Sequence, residues 1–115
     1  MIYWMLLQLL NNIDIILSVA LDKNDNLYMG RQSGVYYLKE GKEVKKVLDN
    51  QDVFLIMFDN NNDWYYGSSN KLYFGKKDAI GKLIFKDLNI AMDSLFIDSN
   101  NNLYYMNDDL QLYFI

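Results

Sequence analysis

The sequence predicts an all-β protein built as three consecutive four-stranded antiparallel blade-like repeats of a β-propeller, an incomplete ring. Two observations carry that prediction. The stretch Leu21-Asp22-Lys23-Asn24-Asp25-Asn26-Leu27-Tyr28-Met29-Gly30 recurs as Phe58-Asp59-Asn60-Asn61-Asn62-Asp63-Trp64-Tyr65-Tyr66-Gly67 and again as Ile97-Asp98-Ser99-Asn100-Asn101-Asn102-Leu103-Tyr104-Tyr105-Met106. The periods are 37 and 39 residues, a range in which one repeat is one supersecondary unit of a solenoid or propeller. Between turn signals, apolar and polar residues alternate at the period of two that marks half-buried strands. Helical repeats of similar length would need a 3.6-residue pattern, which is missing after Leu10, and a β-solenoid coil is typically shorter.

Residues 1–12 read as the end strand of a preceding blade. Met1 to Leu10 is almost wholly apolar, but it has no basic leader or small-residue cleavage site. Gln8, Asn11, Asn12 and Asp14 break it before the roughly 20 residues that span a bilayer, so no signal peptide and no clear membrane segment are expected. A strand is preferred there over a short helix. The first blade, 13–50, takes Ile13 to Leu21, Leu27 to Arg31, Val35 to Leu38 and Val44 to Leu48 as strands, the last Lys-rich as suits an exposed edge. The second, 51–90, takes Val53 to Phe58, Trp64 to Ser68, Lys71 to Phe74 and Lys82 to Phe85. The partial third, 91–115, takes Ser94 to Ile97, Leu103 to Met106 and Leu110 to Ile115.

Composition narrows the function classes. The chain has 115 residues, 51% hydrophobic and 16% aromatic, with ten Tyr and with no Pro, Cys or His. A packed domain is expected rather than disorder. Fifteen acidic against 11 basic side chains give a net charge of -4, without the basic footprint that nucleic acid requires. Lacking Cys and His, the chain has no thiol nucleophile, no zinc-thiolate ligand and no imidazole base, and no set of acidic residues converges in the sequence. The expectation is that it is not an enzyme.

The repeated stretch, followed shortly by Gly34-Val35-Tyr36-Tyr37, resembles the propeller repeat of sensor regions in hybrid two-component regulators. That repeat has an Asp-containing turn with Gly, then a Leu-aromatic-apolar-Gly strand and a Gly-Leu-Tyr strand. The resemblance covers nearly the whole chain and implies ligand or partner recognition outside the cytoplasm, without carrying over a residue-level binding site. Departures are the turn Gly, replaced by Asp25, Asn62 and Asn101, which tolerate a left-handed backbone, and the strand-ending Gly, replaced by Met106.

Two constellations remain. Asp22/Asn24/Asn26, Asp59/Asn61/Asp63 and Asp98/Asn100/Asn102 place oxygen-bearing side chains at alternating positions, as a calcium loop begins. The sixth position is then Leu27, Trp64 or Leu103 where an EF-hand has Gly, and the twelfth is Ser33, Asn70 or Asp109 where it has Glu. Capped hairpin turns account for the same residues. The aromatic strands, among them Tyr28, Trp64, Tyr66, Tyr36 and Tyr73, fit packing of blade on blade, with a sugar- or peptide-binding surface as the alternative. Lys76, Lys77 and Asp78 read as a solvated turn. The functional expectation is a non-catalytic recognition or interaction module with a protein partner or self-association through exposed blade faces, as a six-bladed dimer or a piece of a larger sensor or surface protein. The alternative is a calcium-stabilised structural module.

Overall fold

A computed structural model describes residues 15–39, 43–49, 51–88, 94–106 and 112–114. Every regular element among them is a strand, and every described pairing is antiparallel between chain neighbours. The first sheet runs β1 (Ile16–Leu21), β2 (Leu27–Arg31), β3 (Gly34–Lys39), β4 (Glu43–Asp49) in spatial order. The second repeats the order with β5 (Leu55–Phe58), β6 (Trp64–Ser68), β7 (Lys71–Gly75) and β8 (Lys82–Phe85). The third contains β9 (Ser94–Ile97), β10 (Leu103–Met106) and β11 (Leu112–Phe114). Among the described residues no helix is long and apolar enough to cross a membrane. The expected strand or helix in Met1 to Leu10 lies outside the described residues.

The period-two pattern decides how the sheets stack. In the second sheet Ile56, Phe58, Trp64, Tyr66 and Tyr73 share one face and join Tyr28, Val35, Leu48 and Tyr37 of the first sheet in one apolar cluster. Leu55, Met57, Tyr65, Leu72 and Phe74 share the opposite face and join Leu103, Tyr105, Leu95 and Ile97 of the third. Alternate residues of one strand thus feed two cores, and all five residues of β6 are buried. Directly opposite pairs in the register bring their rings together, Tyr66 stacked on Tyr73 at 5.1 Å and Tyr65 tilted against Phe74 at 4.4 Å between centroids, which adds to the area term at close cross-strand positions. The aromatics Tyr28, Trp64 and Tyr66 are packing residues, each no more than 1% exposed.

The expected start of the second blade's first strand shifts. Val53 belongs to the crossing between sheets: its amide donates to the Arg31 carbonyl at 3.0 Å, and the Phe54 amide donates to Gly67 at 2.9 Å. Regular pairing therefore begins at Leu55. Gly30 permits that crossing, because a side chain there would run into the Val53 carbonyl oxygen and Ser18 Oγ. The Lys-rich β4 is a sheet edge, as its charge predicts, and β8 is an edge of the second sheet.

Candidate functional site

The three Asp turns join β1 to β2, β5 to β6 and β9 to β10, and they have one geometry. The amides of Asp22, Asp59 and Asp98 each donate to the carbonyl four residues on, at 3.0 Å, and those of Asp25, Asn62 and Asn101 return to the Asp carbonyl at 3.0–3.1 Å. The latter three sit at φ 64, 62 and 65, the left-handed residue that closes a three-residue hairpin. In every copy the Asp Oδ1 accepts two backbone amides: Asn24 and Asn26 on Asp22, Asn61 and Asp63 on Asp59, Asn100 and Asn102 on Asp98, all at 2.9–3.0 Å.

The second carboxylate oxygen is engaged as well in two copies. Asp22 Oδ2 accepts Asn26 Nδ2 at 3.0 Å and pairs with Lys77 Nζ at 3.1 Å. Asp98 Oδ2 accepts Asn102 Nδ2 at 3.0 Å and the Tyr104 hydroxyl at 3.1 Å. Burial alone would raise the Asp22 carboxyl, and the hydrogen bonds from Asn26, Lys77 and Asn24 outweigh it, leaving it below the ordinary value. For Asp98 the Asn102 side-chain bond leads, followed by the Asn102 amide, with the same net direction. Each turn thus gathers N–H and O–H donors around its carboxylate, whereas a cation needs oxygens. Among the described residues no three His, Cys, Asp or Glu side chains gather as a metal-binding group.

The turns also bond to one another. The Lys23 amide donates to Asn62 Oδ1 at 2.9 Å, and the Asn60 amide, one repeat on, donates to Asn101 Oδ1 at 2.8 Å. The left-handed residues of the second and third turns, Asn62 and Asn101, are therefore the acceptors for the turn before each. The loop Lys76 to Gly81 closes the same end: Lys76 and Asp78 are exposed, as a solvated turn has them, while Lys77 is half-buried against Asp22 and Asp78 accepts from the Tyr28 hydroxyl at 2.7 Å. Trp64 Nε1 donates to the Ala79 carbonyl, and the Gly81 amide to the Tyr66 hydroxyl. These bonds span 15 to 55 residues of sequence and carry no local pattern.

The opposite end carries a cleft of about 480 Å³ lined by Gln32, Ser33, Gln51, Asp52, Ser68 and Ser69. It lies where the β2–β3 turn, the crossing between sheets and the β6–β7 turn converge. Side-chain amides, hydroxyls and one carboxylate face it. Ser68 is only 6% exposed, and its hydroxyl reaches Asp52 Oδ1 at a long 3.4 Å. At the rim Ser33 Oγ bonds the Tyr36 hydroxyl at 2.9 Å, and the Arg31 guanidinium lies over the Tyr36 ring at 4.4 Å. Sequence reasoning missed this group, since its members are ordinary turn residues that become neighbours only when two sheets stack.

Comparison with known proteins finds no family model, no curated protein and no solved structure that matches the chain.

Proposed function

We propose that the chain is a non-catalytic recognition module in which the three sheets are successive blades of a β-propeller-type stack, and that the polar cleft between the first two sheets is where it takes its ligand. The observation that carries this reading is the cleft's composition. Two glutamine amides, three serine hydroxyls and the Asp52 carboxylate offer both donors and acceptors, which fits a neutral ligand rich in hydroxyl or amide groups. The weak Ser68–Asp52 contact leaves both groups able to exchange partners with such a ligand at small cost.

Support for the blade arrangement comes from the repeated packing. The second sheet stacks on the first, and the third on the second, through the same alternation and the same turn-to-turn hydrogen bond. The Asp turns act as structural caps in this reading, because each carboxylate already accepts two backbone amides, and those of Asp22 and Asp98 accept further donors on the second oxygen. The test is amide-resolved NMR with panels of neutral saccharides and short uncharged peptides. Shifts clustering at Gln32, Ser33, Gln51, Asp52, Ser68 and Ser69, lost in Asp52→Ala, are expected. A ligand that shifts only residues elsewhere would overturn the assignment.

A further inference from the structure

The chain buries the same sheet-to-sheet interface twice and leaves apolar parts of it open at each end of the stack, the β1 strip on the first sheet and the outer face of the third. Ile56 and Phe58 of β5, three residues and one residue before their turn Asp, are 5% and 8% exposed against the first sheet. Their counterparts Leu95 and Ile97 pack against the second sheet. In β1 the same positions are Val19 and Leu21, both 58% exposed.

The other open part lies on the third sheet. Val35 and Leu72, each opposite a strand-ending glycine, are fully buried against the following sheet, and Leu112, which the register places opposite Met106, is 60% exposed. Phe96, equivalent to the packed Ala20 and Met57, is 45% exposed and stacks on Tyr104 at 5.5 Å.

We propose that a second copy of this chain docks head to tail, its β1 face (Val19, Leu21) seated on the β9–β11 face (Phe96, Leu112) of the first. The docking continues the β1 strip of the interface already formed inside the chain, and it rests on the blade reading given above. Each copy carries the open β1 strip at one end of its stack and the exposed β9–β11 face at the other. Met29 and Leu38, on the β2 and β3 part of the first-sheet face, are already buried, so the open part is the β1 strip. That is the strand whose internal counterpart, β5, packs on β1. The turn ladder extends in register: the Lys23 and Asn60 amides reach the left-handed residue of the next turn, so the Ser99 amide of one copy meets the Asp25 carboxylate of the other. A heterologous contact of this kind closes into a ring or grows as a filament, depending on the rotation per copy.

Light scattering over a concentration series tests the docking. Wild-type chain should weigh at least twice its 13.6 kDa at high concentration and dissociate on dilution. Val19→Glu with Leu21→Glu, and separately Phe96→Glu with Leu112→Glu, should each stay monomeric, since all four sites are exposed and a β-type circular dichroism spectrum checks folding. Mixed in equal amounts, the two double variants should form a one-to-one pair, because each retains the face that the other lacks. Asp25→Gly, which keeps the left-handed backbone and removes the acceptor, should weaken association about tenfold. A wild type that remains a monomer with intact β structure, or variants that associate as the wild type does, would overturn the docking and leave the blade reading standing. Loss of the β spectrum in the wild-type monomer would overturn the blade reading itself.

Discussion

The second sheet and the third are written in the same repeat, yet their equivalent side chains have opposite surroundings. Leu72 is fully buried between two sheets, whereas Leu112, at the matching register position, is mostly exposed. Tyr65 lies in a core, while its counterpart Tyr104 bonds its own turn aspartate. The difference teaches that in this chain a residue's contribution is set by whether a neighbouring sheet covers its face, and that local sequence decides only which face it occupies. Repeat proteins behave this way because the interface between units carries much of the stability.

Truncating the matched pair should separate the two situations most sharply. Leu72→Ala is expected to cost about 2–5 kcal/mol as a cavity forms in a closed core, and Leu112→Ala less than about 0.5 kcal/mol in the monomer. Urea unfolding at low concentration measures both. Equal losses would mean that the third sheet's outer face is as covered as the second's.

How much of this was legible follows from the same comparison. Strands and turns were readable because their signals are local: the repeated stretch after each Asp turn placed Trp64 to Ser68 and Leu103 to Met106 at their observed bounds, and Asn and Asp at the left-handed turn position behaved as turn chemistry requires. The crossing was misread at Val53, whose β-branched side chain suits a strand but whose amide is taken by Arg31 of another sheet. The charged turn is exposed at Lys76 and Asp78 as expected, but its bonds from Lys77 to Asp22 and from Tyr28 to Asp78 were not readable, because only the stacking of two sheets brings these residues together. The cleft and the turn ladder likewise join residues from different repeats, a relation that periodicity does not encode.

Smaller effects should appear at the turns. Asp59→Ala leaves the Asn61 and Asp63 amides without their acceptor and should cost about 1–2 kcal/mol. Asn62→Gly keeps the backbone geometry and removes one rung between the first and second turns, for a loss of about 0.5–1.5 kcal/mol. If the Asn62 change costs nothing while the Asp59 change does, the turns are independent caps with no ladder between them.

The pH response sharpens the same point. The Asp22 and Asp98 carboxyls are held below their ordinary value of 3.8 in the folded chain, so the unfolded chain takes up protons first as pH falls. Their stabilisation is complete well above 3.8 and is lost as pH drops through the folded values. Melting temperature should fall on that acid limb, and Asp22→Asn with Asp98→Asn should flatten it. At the other extreme, burial, with Asp78 second, raises the Tyr28 hydroxyl, so its contribution holds below its ordinary value of 10.0 and is lost in stronger base. The smallest effect expected is that of calcium: titration should leave the melting temperature unchanged, and a saturable rise abolished by removing Asp22, Asp59 and Asp98 would revive the metal reading.

The central claim is that one sheet is locked between two others, and native-state hydrogen exchange resolved by residue tests it most directly. At low protein concentration the amides of β6 and its partners in β5 and β7 should exchange slowest, at the rate of global unfolding, with β1 and β10 opening at lower free energy. If β6 exchanges as fast as β1 or β10, the second sheet is not held from both sides and the stacked arrangement is wrong.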